Sequence, residues 1–185
     1  MIRKVGGVLA NHPILKGIIS YSVIWPTGSL IQQTIAGEEY DFKKALRFCI
    51  FGSCVVAPTL YGWVRLSSAM WPHTNFKSGI TKAIVEQFSY GPAAGVCFFY
   101  GMSLLEFKTH KEACAEVKRK FPDTWKVAVC VWPVVQTINF TFIKEKNRVP
   151  FVSIASLMWT TFLAYMKQLE QEKENGAIVE KELTD

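Results

Sequence analysis

The stretch VWPVVQTINF, residues 131–140, lies inside an apolar segment yet holds Pro133, Gln136 and Asn139. At helical spacing Trp132, Gln136 and Asn139 fall at i, i+4 and i+7, one continuous face, with Pro133 and Thr137 on a neighbouring strip. Each amide brings donors and an acceptor that hydrocarbon cannot satisfy. Gln136 and Asn139 therefore either hydrogen-bond a facing helix or line an aqueous path. That choice separates a fastened bundle from one that passes solute.

The surrounding sequence makes hydrocarbon the relevant solvent. The chain is 50% hydrophobic and 14% aromatic, with 19% charged residues where a soluble domain carries about 25%. Five runs contain no Asp, Glu, Lys or Arg: 17–37, 48–64, 87–105, 127–143 and 149–166. Each is long enough to cross a bilayer as a helix, which takes about 17–25 residues. Mean hydropathy is only +0.16, because the runs also hold groups such as Ser20, Thr27, Gln32, Gln33 and Thr59. Such side chains are expected to face other helices or water. The fold class expected is all-α: a polytopic transmembrane bundle of four to five proline-kinked spans plus short interfacial amphipathic helices. A soluble all-helical protein with long buried helices is the competing reading.

Three segments follow. Residues 1–12 read as an interfacial amino-terminal helix, without the apolar core and cleavage site of a secretory signal. Residues 13–168 form the transmembrane helical domain, and 169–185 a polar, partly disordered tail. Within the domain the spans run over about 13–37, 42–70 and 77–107, then after Pro122 and after Pro150. Residues 107–121 place Phe107, Cys114, Val117 and Phe121 on one face and charges on the rest, an in-plane amphipathic helix. Pro26, Pro58, Pro92 and Pro133 lie inside spans, where each removes an amide donor and frees a carbonyl. They read as kinks for packing, or as bends that leave a hydrated cavity.

The net charge of +6 does not form a basic stripe with interleaved aromatics; Lys and Arg sit between the runs, near headgroups. Nucleic acid is therefore not expected as a partner. Five cysteines without a C-x-x-C pair read as reduced thiols, and the three histidines show no zinc spacing. No catalytic constellation, metal or cofactor site is expected. Two charged residues bear on the spans. Glu86, beside Gln87 at the start of a run, reads as the partner of Lys82 one turn earlier, or as a pore mouth. Arg148, at the foot of the last span, reads as snorkelling to headgroups, or as attracting anions at a vestibule.

Trp132-Pro133, Gln136, Asn139-Phe140, Arg148 and Trp159 together match W-P-x-x-Q-x-x-N-F, with an Arg eight residues after the Phe and a Trp eleven later. This pattern resembles the Mpv-seventeen family, which includes the twenty-two-kilodalton peroxisomal membrane protein. Upstream, Gly28 and Gln32, then Arg47, Gly52, Pro58 and Trp63, then Glu86-Gln87 and Pro92 resemble its other landmarks, so the similarity covers about residues 13–166. Residues 99–101 and 118–125 resemble the Mpv-seventeen-like members. Ser29 and Lys144 depart from the pattern, where members commonly carry Asp and Pro. The resemblance implies a small multi-span protein of the mitochondrial inner membrane, or alternatively of the peroxisomal membrane. It also implies a pore or channel for small hydrophilic solutes, with links to reactive oxygen species and mitochondrial DNA maintenance. Gln32, Glu86, Gln87, Gln136, Asn139 and Arg148 are the candidate pore-lining or helix-fastening residues. Gly28, Pro58, Trp63, Pro92, Trp132, Pro133, Phe140 and Trp159 are the structural part of the signature. The alternative is a non-conducting scaffold in which the polar residues fasten helices. The expected partners are the lipid bilayer, an unidentified small hydrophilic solute, and a second copy of the chain should it form a homo-oligomer.

Overall fold

Pro13 opens helix α1 (Pro13–Ile35) at its first turn, where a missing amide removes no helical hydrogen bond. Gly37 lies just past its end at a φ of +64°, in the left-handed region that a side chain would strain. The following turn is tight because the buried Gln33 amide clamps Asp41. Gln33 Oε1 accepts from Asp41 N at 2.6 Å, and Nε2 donates to Asp41 O at 3.3 Å. Asp41 caps α2 (Phe42–Phe51), accepting from the amides of Lys43 and Lys44. These elements belong to a computed structural model that describes residues 12–162. The interfacial helix expected over 1–12 and the tail expected over 169–185 thus fall, but for His12, outside the described residues.

A π-helical turn, Gly52–Val56, joins α2 to α3 (Ala57–Met70) without a break. Pro58 lacks an amide and crowds the carbonyl four residues back, and the wider turn relieves this: Ala57 N reaches back to Gly52 O. Thr59 Oγ1 donates to the nearby Val55 O at 2.7 Å. Pro26 frees Ser22 O in the same way, and Cys49 Sγ on the facing helix donates to it at 3.3 Å. At Pro26 a neighbouring side chain thus answers the carbonyl that the ring frees.

The second half corrects five expectations. Residues 77–107 are two helices, α4 (Phe76–Phe88) and α5 (Tyr90–Leu105), broken at Ser89. Pro92 is therefore no internal kink: it sits in the first turn of α5, whose amides lack helical partners in any case. The amphipathic helix and the span after Pro122 are one helix, α6 (His110–Phe142), running through Pro122 and Pro133. Its 33 residues extend about 50 Å at 1.5 Å each. A capping box starts it, Thr109 N donating to Glu112 Oε2 at 2.8 Å. Phe107 precedes this helix, exposed, at a φ of +60°, so it does not share the apolar face. Finally α7 is helical from 145 to the last described residue, 162, and begins before Pro150 rather than after it.

Every described element is helical or a connecting turn, and the long elements alternate in direction. The α2–α3 rod runs antiparallel to α1, and α4–α5 runs antiparallel to α6. Thr141 packs on Gly79, Gln136 on Glu86 and Phe121 on Gly95, which fixes that register. The start of α1, the 71–75 turn and residues 143–148 share one end, called lower here. Residues 36–41 and 106–109 share the upper end. Two elements, α1 and the rod Phe42–Met70, are long and apolar enough to cross a membrane, and α5 is apolar but shorter. The interior joins an apolar cluster of Tyr21, Ala57, Leu60, Val64, Phe140, Val149 and Val152 to an unusual number of buried polar groups. Gln33, Ser67, Lys82, Gln136, Asn139 and Ser153 are almost fully buried, while Ile19, Val23, Leu46, Val134, Ile138 and Met158 are exposed.

Candidate functional site

The polar interior lies where α4 crosses α6. Gly79 allows the crossing, since a Cβ there would meet Thr141 Oγ1 at 2.1 Å. Two turns further along α4, Glu86 is buried and accepts from two helices at once. Trp63 Nε1 on α3 donates to its Oε2 at 2.7 Å, and Gln136 Nε2 on α6 donates to its Oε1. Gln136 Oε1 then accepts from Asn139 Nδ2 at 2.9 Å. The face predicted from the 132–140 spacing thus exists, and it closes onto protein partners. One group on it stays open: Asn139 Oδ1 is buried and accepts no hydrogen bond among the described residues.

Below this chain lies a second layer built on Phe140. Lys82 Nζ sits 5.4 Å from the Phe140 ring centre, and the Arg148 guanidinium carbon 5.3 Å from the same centre. Arg148 donates to Phe140 O at 3.1 Å, Ile143 O at 3.2 Å and Ser68 Oγ at 2.8 Å. It is only 3% exposed, so the snorkelling expected for it does not occur; carbonyls left at the end of α6 hold it inward instead. The expected pairing of Glu86 with Lys82 is also absent. Lys82 turns down toward Phe140, while Glu86 faces Trp63 and Gln136.

The remaining predicted residues scatter. Gln32 donates to Thr160 O at 3.2 Å, fastening α1 to α7, and Gly28 lets the same helices approach at Leu157. Gln87 is buried next to Glu86. Trp132 and Trp159 meet edge to face with centres 6.3 Å apart, holding α6 to α7. Trp63 stacks on Tyr90, beside the α4–α5 break. Pro133 O accepts from Thr137 Oγ1 at 2.7 Å. Sequence reasoning counted Gln33 among the polar groups of its run without singling it out, and gave Lys82 the wrong role. The clamp of Gln33 on Asp41 was not marked because α1 is apolar nearly all round, so no stripe picks out its buried face. For Lys82 the one-turn spacing to Glu86 was a true signal of a shared face but not of contact.

Residues 103–164 match the Mpv17 / PMP22 family. An Mpv17-like protein of Xenopus laevis is 29% identical over 160 residues, covering 85% of this chain and 78% of its own. The mitochondrial inner membrane protein Mpv17 of Caenorhabditis briggsae is 22% identical over 169 residues, covering 91% and 93% respectively. PXMP2/4 family protein 4 of Dictyostelium discoideum is 29% identical over 129 residues, 70% of each chain. No solved structure matches this chain.

Proposed function

We propose that this chain, which belongs to the Mpv17 / PMP22 family, is a mitochondrial inner-membrane protein whose bundle passes small hydrophilic solutes, and that the conformation described above is its closed state. The compartment follows the name of the Caenorhabditis briggsae relative. Fractionation of tagged protein tests it, and recovery in peroxisomes would reverse it. In this reading α1, the α2–α3 rod, α4–α5, α6 and α7 make five passes. The upper half of α6 projects beyond the hydrocarbon, since a 50 Å rod exceeds a core of about 30 Å.

The observation that carries the reading is the trio Lys82, Glu86 and Arg148, ionisable and enclosed within an apolar-surfaced bundle. Amides and hydroxyls fasten membrane helices without the desolvation that charges incur, and intramembrane ionisable groups mark solute or ion paths by default. The purified protein in planar bilayers is expected to conduct, and Gln136→Leu with Asn139→Leu to raise its open probability by releasing Glu86. A protein that never conducts under any condition overturns the path.

A second reading has an observation of its own: Gln32, Gln136 and Asn139 all bond to protein groups. They then fasten a non-conducting scaffold. Under that reading the double variant loses thermal stability or assembly, and no sample conducts.

A further inference from the structure

We infer that Lys82 and Arg148 form a binding site for an oxyanion, the phosphate or carboxylate group of a small molecule, at the lower end of the bundle. Both cations are almost sealed from solvent, at 1% and 3% exposure. Neither is paired with a carboxylate among the described residues. Glu86, the one carboxylate buried nearby, already accepts from Trp63 and Gln136. The three acceptors that hold Arg148 are two carbonyls and a hydroxyl, all neutral. Those bonds orient the guanidinium and leave its charge uncompensated, with N–H donors to spare. A buried charge without a counterion is strongly disfavoured, so a retained pair of them implies a partner that arrives from outside.

The surroundings fit such a guest. A cleft of about 240 Å³ opens at the same end, lined by Pro13, Tyr61, Val64, Arg65, Glu145 and Lys146. That is room for a small hydrated anion, given about 30 Å³ per water. Its walls belong to the elements that hold Arg148: Ser68, one turn beyond Val64, bonds Arg148, and Glu145 and Lys146 lead into it, while Lys82 joins Arg148 across the Phe140 ring. Lys16, Lys77 and Lys144 add positive charge at the same end. A net positive charge at the mouth of a cleft concentrates anions. The opposing group is Glu145, an exposed carboxylate on the cleft wall that forms no ion pair with Lys82 or Arg148. Its negative charge repels an incoming anion.

That the anion is a passing solute rests on the solute path proposed above; its binding does not. The test is thermal unfolding of the full chain in uncharged detergent, with inorganic phosphate replacing chloride at constant ionic strength. Phosphate is expected to raise the unfolding temperature saturably, as a ligand of the folded state does. Lys82→Met should abolish the rise, whatever its own starting stability. Glu145→Gln should lower the half-saturating phosphate concentration about two- to fivefold, the value of a partly exposed charge contact. A parallel series in phosphatidylglycerol and phosphatidylcholine nanodiscs separates the sources. Stabilisation by the anionic lipid alone, lost in Lys82→Met, keeps the site and makes a headgroup its occupant. An equal phosphate response in wild type and Lys82→Met overturns the site, as does no response to phosphate or to anionic lipid. Phosphate binding by a protein that never conducts keeps the site and removes the path.

Discussion

The two ends of the bundle handle charge in opposite ways. At the upper end acids and bases are interleaved and meet: Lys44 with Glu38 at 3.5 Å, Lys108 with Glu106 and Glu116 at 2.6 Å, Lys126 with Asp123 at 2.9 Å. At the lower end Lys16, Arg65, Lys77, Lys144 and Lys146 join the buried Lys82 and Arg148, against Glu86 and Glu145 alone among the described residues. No ion pair forms there among the described residues. An end that neutralises itself within its own loops and helix turns has little field left to offer a solute. The lower end keeps its field, and two of its charges are held where water is scarce. Polar groups in the interior should therefore matter more than the more numerous pairs at the upper end.

Breaking that comparison starts with Gln136→Leu, which orphans Glu86 Oε1 and Asn139 Nδ2 together. Each orphaned buried group costs about 1–3 kcal/mol, tempered in membranes because unfolded helices also find partners, so a loss of about 2–3 kcal/mol is expected. Thermal or denaturant unfolding in detergent measures it. Lys126→Ala, at a side chain 72% exposed, serves as the upper-end control and should stay within about 0.5 kcal/mol. Equal losses at the two sites would dissolve the contrast.

Gly79→Ala comes next, at about 1–2 kcal/mol, because its Cβ would intrude on Thr141 Oγ1. Thr141 Oγ1 is buried without a hydrogen-bond partner, so its removal in Thr141→Ala leaves nothing else unpaired. The double variant Gly79→Ala/Thr141→Ala should recover most of the loss. Failure of that rescue would mean the helices are spaced by something other than this contact.

How much of this was legible in the sequence depends on which force was being read. Of the five charge-free runs, the first two located α1 and the α2–α3 rod, the elements long and apolar enough to cross a membrane. The 132–140 face was legible because helical spacing alone places Trp132, Gln136 and Asn139 together. The partners of that face were not. Glu86 and Gln136 are fifty positions apart, and only the antiparallel register of α4 against α6 brings them into contact. Proline misled in both directions: Pro92 marked the start of a helix and Pro122 failed to mark one, because the ring's effect depends on its position in the turn. The T-x-x-E pattern at Thr109 and Glu112 was a readable start signal that would have placed the boundary of α6 correctly.

That cap supplies a smaller test at the upper end. Thr109→Ala removes the hydroxyl that accepts from Glu112 N, and should cost about 1 kcal/mol in detergent unfolding. A loss matching that of Gln136→Leu would show that the start of α6, not the polar interior, governs the bundle.

The smallest effect expected is pH-dependent and belongs to Glu116, which gathers Lys108, Lys120 and Ser103 on the upper half of α6. Hydrogen bonds from Lys108, then from Lys120, hold its carboxyl down from an ordinary 4.5 to about 2. A carboxylate depressed on folding stabilises the fold at every pH above its unfolded value. The contribution should therefore be constant from pH 7 to about 5, then fade as pH drops through 4.5 toward 2. Water around the half-exposed lysines screens it, so below about 1 kcal/mol is expected in moderate salt. The difference in unfolding temperature between wild type and Glu116→Gln isolates this contribution from other acids, and should narrow across that window. A difference that persisted unchanged at pH 2 would mean Glu116 acts by packing and not by charge, and that the upper end is less self-neutralising than its ion pairs imply.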